Sequence, residues 1–270
     1  MSTPKALRQR SLQCIFWLAL LILAPRAWAH EFWLVAYPAR SEIAQPVALE
    51  LRIGAGWPGT QSPRRPNLVD WFSAFDADGS TPVLDASSPE YIGEFKPRAA
   101  GATLIALRSN PARTTLSADE FNQYLQEEGL TQALAMRQRF ELLQSPVREQ
   151  FSRCAKSIVV VGGSSQGYDG LSNLPLELQL LSDPLSISPD QALQLKLTLH
   201  GKPLAGSLIK AQPQHDPEQK LSAISDEQGL VRLTLNTPGV WLLSAVHIEP
   251  SASAGVDWES LWTSLTVEIL

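Results

Sequence analysis

The chain has 270 residues, of which 44% are hydrophobic and 18% charged, and this composition excludes both a disordered acidic segment and a polytopic membrane protein. The formal net charge of -5 understates the acidity of most of the chain, because residues 1–29 carry four basic side chains and no acid. Without them, 18 basic side chains face 27 acidic ones, a net charge of -9, so we expect no nucleic-acid partner.

Residues 1–29 are typical of a secretory signal peptide. A basic stretch precedes an apolar run from Cys14 to Ala24, and the triplet AWA at 27–29 is a small-residue cleavage site. The run is too short for the roughly 20 residues that cross a bilayer, so we expect a periplasmic protein with no membrane span after cleavage. A lipid anchor on Cys14 is the alternative, but that cysteine precedes the apolar run instead of following it.

The next segment, 30–170, has the pattern of a β-sandwich. PVALELRI at 46–53 places its apolar residues at alternating positions, which indicates a half-buried strand. Similar short runs at 68–75, 91–95, 103–107 and 156–161 are separated by clusters of Pro, Gly, Ser and Asn. This alternation of short strands and turns favours an antiparallel sandwich.

A helical insertion over about 117–155 interrupts these strands. Ser117 and Glu120 form a capping box, apolar residues follow at helical spacing, and the pattern resumes after Gly129 to about residue 143. Ser145 and Pro146 then have the composition of a second helix start, so we expect a helix that extends to about Cys154. We expect Cys154 to fill the core as a buried thiol.

Residues 171–270 have the rhythm of a second, smaller sandwich. Strand-like runs are separated by a GKPL turn at 201–204, a D-x-x-G turn at 226–229 and a P-G pair at 238–239. The predicted fold class is therefore all-β, mainly β with a helical insertion, built from two immunoglobulin-like or transthyretin-like β-sandwich domains.

The histidines are the candidate metal ligands. Cleavage after residue 29 would make His30 the first residue, and its free amine and imidazole can chelate one metal ion. His247 shares a strand face with apolar residues, and Asp257 follows ten residues later as a possible ligand or as an orienting partner for the imidazole. His200 and His215 fall in turns or loops, where a solvated histidine is the expected structure.

Several motifs along the chain resemble the bacterial periplasmic family of unknown function DUF4198. They are HEFWL at 30–34, FNQYLQEEGL at 121–130, the PVRE and RxxK spacing over 146–156, GKPLAG at 201–206, PGxW and AVH within 238–247, and DWESLWTSLTVE at 257–268. The resemblance covers essentially the whole chain after the signal segment. Cys154 departs from it, because an aromatic residue is expected at that position.

The resemblance implies a periplasmic protein associated with nickel or cobalt uptake, with an inner-membrane transporter as a possible partner. Together with the histidines, it predicts a non-enzymatic protein in which His30, His247 and Asp257 hold one divalent ion, Cu, Ni or Co. The first alternative is a docking module for a membrane transporter, without metal. The second is a copper-dependent oxidase that uses a histidine brace, with Trp33, Tyr37, Trp57 and Trp71 as a substrate platform.

Overall fold

The computed structural model describes residues 31–188 and 191–270. The elements up to residue 161 are β1 (Glu31–Tyr37), β2 (Arg40–Ser41), β3 (Val47–Gly54), β4 (Thr60–Gln61), β5 (Val69–Asp76), β6 (Gly79–Pro82), β7 (Gly93–Phe95), β8 (Gly101–Ser109), β9 (Ala112–Leu116), α1 (Ala118–Glu127), α2 (Thr131–Arg139) and β10 (Val147–Val161). The elements that follow are β11 (Leu176–Leu180), β12 (Ala192–Leu199), β13 (Lys202–Pro203), β14 (Leu208–Pro213), β15 (Leu221–Ile224), β16 (Leu230–Thr234), β17 (Gly239–Pro250) and β18 (Trp258–Ile269).

One large sheet extends through both halves of the chain. Its strand order is β15-β14-β17-β18-β10-β8-β5-β6, and β2 and β9 also pair with β10. The last strand, β18, returns beside β10 in parallel, whereas β17 and β18 pair antiparallel over twelve residues. The sheet is therefore continuous between the two halves, and the domain boundary near residue 170 stays a prediction.

Two smaller sheets cover opposite faces of the large sheet. We call front the face that carries Ala155 and Val159 of β10, which pack against β1 and β3. We call back the face that carries Ile158, Leu243 and Leu265, which pack against the sheet of β11, β12 and β16. Because side chains alternate along a strand, each long strand supplies apolar residues to both cores. The prediction of a mainly β protein with sandwich sheets is confirmed.

Helix α1 begins as the sequence predicts. The Ser117 hydroxyl accepts from the backbone N–H of Glu120, and the Glu120 carboxylate accepts from the backbone N–H of Ser117. The buried face of the helix, Phe121, Tyr124 and Leu125, packs on the front face of the large sheet beside Trp262. The helices therefore cover the part of the front face that β1 and β3 leave open.

The helix predicted from residue 145 to Cys154 is wrong. Residues 147–161 form strand β10, which pairs with β9 over 147–151 and with β18 over 149–157. Ser145 and Pro146 end a turn instead of starting a helix, because the hydrogen bonds from neighbouring strands outweigh the local preference. Cys154 therefore lies in the middle of the large sheet and not at a helix end.

Candidate functional site

The first described residue, Glu31, lies on the front face of the large sheet. The hydroxyl of Ser244 on β17 donates to its carboxylate over 2.8 Å, and the ammonium of Lys210 on β14 lies 3.3 Å from it. Further along β1, the carbonyl oxygens of Phe32 and Leu34 accept from the hydroxyls of Ser264 and Thr266 at 2.7 and 2.6 Å. The start of β1 is thus fixed to the large sheet by side-chain hydrogen bonds.

The strand register produces this arrangement. Ser222, Lys210, Ser244 and Ser264 are consecutive cross-strand partners on β15, β14, β17 and β18. Directly paired residues project from the same face of a sheet, so a row of small polar side chains and one lysine crosses the front face below β1. Small side chains in this row leave room for the end of β1 to approach the sheet.

Lys210 joins two carboxylates from different elements. Its ammonium lies 2.7 Å from the carboxylate of Glu128, which caps the C-terminus of α1, in addition to its contact with Glu31. Burial raises the pKa of Glu128, although Lys210 acts in the opposite direction. Burial tends to lower the pKa of Lys210, but the two carboxylates outweigh it, and that pKa is raised. The cluster holds one cation between two anions.

A cavity of about 760 Å³ opens beside this cluster. We call it the Lys210 pocket. Its lining includes the charged groups just described and the apolar side chains of Leu208 and Leu242, whereas the side chain of the bordering Leu221 packs in the back core. The exposed Lys220 and Ser222 lie at its margin. A volume of several hundred cubic ångströms, apolar walls and a few convergent polar groups are typical of small-molecule sites.

His30 lies outside the described residues, so its predicted part in a metal site stays a prediction. One peptide bond joins it to Glu31, and the Glu31 side chain lines the Lys210 pocket. Glu128, Lys210 and Ser244 did not figure in the sequence-based site, because each comes from a different element. In the strand LIKAQP, polar residues occupy alternate positions, and this alternation was the one sequence signal that pointed to Lys210.

His247 lies on the opposite face of the sheet from Glu31. It is three residues beyond Ser244 on β17, and residues three apart on a strand point to opposite faces. Its side chain is half-buried and lines a second cavity of about 280 Å³, together with His200, Glu249 and Glu259. The Nε2 atom of His247 lies 3.7 Å from a carboxylate oxygen of Glu249.

Asp257 is not in contact with His247. The register pairs His247 with Leu261, and Asp257 precedes Leu261 by four residues, or about 13 Å along an extended strand. The Asp257 carboxylate accepts from the backbone N–H of Arg148 and from two nitrogens of its guanidinium, at 2.7 to 3.1 Å. These bonds lower the pKa of Asp257. Asp257 fastens the beginning of β10.

The structure therefore does not bring together His247 and Asp257, the two described members of the predicted metal site. Within residues 31–188 and 191–270, no three or more His, Cys, Asp or Glu side chains cluster in a way that could hold a metal ion. Cys154 is buried, and burial raises its pKa to about 12, so the thiolate that binds metals is disfavoured.

The aromatic residues considered as a substrate platform are dispersed. Trp33 and Trp57 are buried against each other in an edge-to-face contact, with ring centroids 5.5 Å apart. Trp71 packs edge-to-face on Phe75, and Tyr37 is more exposed, at 38%. The buried indoles of Trp33 and Trp57 stabilise the core and are not accessible to a substrate.

Among the described residues, no helix has both the length and the apolar character needed to cross a membrane. In comparisons with known proteins, residues 27–249 match the model of a family described as a domain of unknown function, DUF4198. None of the curated proteins matches the chain.

Among solved structures, the D0-D1 domain of intimin is 12% identical, over 89% of this chain and 97% of that chain, with a TM-score of 0.22. The BSP domain of a biofilm associated protein is 12% identical, over 88% of this chain and 29% of that chain, with a TM-score of 0.21. The fibronectin(III)-like modules of Clostridium thermocellum CbhA are 6% identical, over 87% and 93% of the two chains, with a TM-score of 0.20.

Proposed function

From the premise that the chain belongs to the DUF4198 family, we propose that it is a periplasmic protein that binds one divalent transition-metal ion at the N-terminus exposed by signal cleavage. The ligands in this proposal are the α-amine and the imidazole of His30, the residue that precedes Glu31 in the sequence. His247 and Asp257, which the sequence analysis included, are left out of this proposal. His247 lies on the sheet face opposite Glu31, and the Asp257 carboxylate is bonded to Arg148. Delivery of the ion to an inner-membrane transporter is part of the same proposal.

The observation that carries this proposal is the anchoring of Glu31. Its carboxylate is held by Ser244 and Lys210, and the next carbonyls of β1 are bonded to β18. A chelate loses less entropy on binding when the backbone that bears it is already fixed. A residue directly before Glu31 is attached to such a fixed strand end, next to a cavity that can admit a ligand.

The chemistry of the two nitrogens determines what would bind. Imidazole and amine nitrogens suit copper, nickel and zinc, and for a given site copper forms the most stable complexes of the three. A free α-amine titrates near pH 7.7 to 8.0, and it must lose its proton to act as a ligand. Affinity for the metal should therefore increase as the pH rises through that range.

The experiment compares two forms of the protein that differ only in whether the α-amine of His30 is free or acetylated. Protein that begins at His30 should bind Cu(II) or Ni(II) with one-to-one stoichiometry in a competition titration. A form whose His30 α-amine is acetylated should bind at least about a hundredfold more weakly, because the acetylated nitrogen is no longer a free amine that can bind the metal. His215→Ala, a change in an exposed loop, is the matched control and should bind like the parent. Equal affinities of the two forms would refute the chelate.

The docking module remains a second candidate because of one surface feature. Met136, Phe140 and Leu142, at the end of α2 and in the turn that follows, are 38%, 60% and 40% exposed. Exposed apolar side chains close together are typical of protein contact sites. The proportion of protein that retains metal after mild purification separates the two candidates. The oxidase alternative is less favoured, since Trp33 and Trp57 are buried.

A further inference from the structure

The lining of the Lys210 pocket carries more negative than positive charge. It includes three glutamates and two lysines, which gives a formal charge of -1. The pocket also borders the C-terminus of α1, where backbone carbonyls carry a partial negative charge, and the last turn of α1 contains no basic residue. Burial raises the pKa of Glu128, and the charges of Glu31 and Glu127 act in the same direction, against Lys210. The cavity therefore attracts a cation from solution.

One carboxylate oxygen in the pocket is free to accept a hydrogen bond. Ser244 and Lys210 both contact the Oε1 atom of Glu31. Within the part of the chain that the structure describes, the Oε2 atom of Glu31 accepts no hydrogen bond, although the side chain is only 11% exposed. Lys210 also contacts both oxygens of Glu128, at 2.8 and 2.7 Å. An ammonium group in the cavity can thus bond to Glu31 without displacing Lys210.

The rest of the pocket suits an apolar group. The half-buried Leu208 lies on the front face of β14, and the exposed Ala55, in the loop after β3, also belongs to the lining. The aliphatic part of the Lys220 side chain adds apolar surface at the margin. The cavity of about 760 Å³ is far larger than one ammonium group requires. A ligand that fills it has an apolar body as well as a charge.

We infer that the Lys210 pocket binds a small organic amine, in which one primary ammonium group is attached to an apolar group. The ammonium donates to the free oxygen of Glu31, and the apolar group packs against Leu208 and Ala55. One positive charge neutralises the formal charge of the lining, whereas a carboxylate would add to it. The inference goes beyond the proposed function and does not depend on it, because it requires neither a metal nor His30.

The test is calorimetric titration of the protein with 2-phenylethylamine at pH 7, after dialysis against EDTA. The amine is protonated at this pH, as a lysine side chain is. We expect one-to-one binding. 2-Phenylethanol, which has the ring without the charge, and ethylamine, which has the charge without the ring, should each bind at least about tenfold more weakly. 3-Phenylpropionate, with a negative charge, should give no binding heat.

A pair of charge variants tests the contact with Glu31. Glu31→Gln keeps the shape of the side chain and removes its charge, so the affinity for 2-phenylethylamine should fall at least about tenfold. Glu90→Gln makes the same change in an exposed loop that does not line the pocket, and it should bind like the parent.

A pair of tryptophan variants locates the amine. Ser222→Trp fills the cavity from an exposed position on β15 and should lower the affinity at least about tenfold. Thr234→Trp adds the same indole at an exposed position of β16, outside the lining, and should leave the affinity unchanged. Because Ser222 forms no part of the Lys210 cluster, this pair decides the location even if Glu31→Gln does not fold.

Three outcomes would overturn the inference. The first is no binding of 2-phenylethylamine, and the second is equal affinity for 2-phenylethylamine and 2-phenylethanol, which would show that the charge is not recognised. The third is equal affinity of Ser222→Trp and the parent, which would place the amine outside this pocket. None of them bears on the His30 chelate, since the titrations are carried out without metal.

Discussion

Two lysine–glutamate clusters in this molecule use the same groups in different surroundings. Lys156 and Glu177 form a pair 2.8 Å apart whose side chains are each 2% exposed, and Glu177 also accepts from Ser172 and from the backbone of Leu174. Lys210, by contrast, is 31% exposed and borders a cavity. The first cluster joins β10 to β11 within the core, whereas the second is accessible to a ligand. Burial, more than residue type, separates a structural pair from a candidate site.

Glu177→Gln should give the largest effect and tests the structural half of this comparison. It leaves the Lys156 ammonium buried without its carboxylate, and breaking a buried pair in this way costs about 3–5 kcal/mol. The free energy of unfolding from urea titrations measures the loss. Asp257→Asn, which weakens the exposed pair with Arg148, is the control and should cost less than about 1 kcal/mol. Similar losses in both variants would show that burial is not the deciding difference.

Lys210→Met should have a smaller effect on stability and a specific effect on binding. Lys210 is partly exposed, but its loss leaves two carboxylates that are each only 11% exposed without their cation. We therefore expect a loss of about 2 kcal/mol in the free energy of unfolding, between the values for an exposed and a fully buried pair. Removal of the cation also frees Glu31 and Glu128, so the affinity of the His30 form for Ni(II) should rise about tenfold in a competition titration. Unchanged or weaker nickel binding would contradict the placement of the chelate at this pocket.

The pH dependence of stability should have opposite signs at the two clusters. Burial tends to raise the pKa of Glu177, but Lys156 and Ser172 outweigh it, and that pKa is lowered. Its contribution to stability is therefore present above the ordinary glutamate pKa of about 4.3 and is lost as the pH falls through the lower, folded value. Burial raises the pKa of Glu128, so its ionisation opposes folding as the pH rises from about 4.3 through the folded value.

Urea titrations of Glu177→Gln and Glu128→Gln over this pH range check both signs. The stability advantage of the parent over Glu177→Gln should grow as the pH rises from acid. The stability advantage of the parent over Glu128→Gln should shrink as the pH rises from about 4.3 to the raised pKa of Glu128. If the stability of the two variants relative to the parent changed with pH in the same direction, the inferred difference between the surroundings of Glu177 and Glu128 would be wrong.

The sequence predicts the strands and α1 well because their signals are local. The alternating apolar residues at 46–53 form strand β3, and both hydrogen bonds of the capping box at Ser117 are present. The run at 156–161 was predicted as a strand, but the earlier part of β10 was predicted as a helix. Its pairing with β18 joins residues about a hundred positions apart, which no local pattern reports. The Lys210 cluster could not be predicted for the same reason, because the register of separate strands brings its members together.

His247 was a reasonable candidate from the sequence for a similar reason. Alternation correctly placed it on the face of Trp241, Leu243 and Ala245, all of which pack in the back core. What the sequence did not reveal is that β1 lies over the other face, beside Ser244. A partly buried imidazole near carboxylates is consistent with either of two cavities, and the topology decides which one it lines.

His247→Ala should therefore have the smallest effect on metal binding, within about twofold of the parent. The large sheet separates the His247 side chain from the Lys210 pocket. Loss of one imidazole changes the electrostatic potential in that pocket only slightly, because salt screens interactions over such a distance. Competition titration with Ni(II) on protein that begins at His30 makes the measurement, with His200→Ala as the matched change in the same cavity. If His247→Ala alone weakened binding tenfold or more, the ion would be shared between His30 and His247. The end of β1 would then have to pass around the sheet edge, and the site proposed at the Lys210 pocket would be wrong.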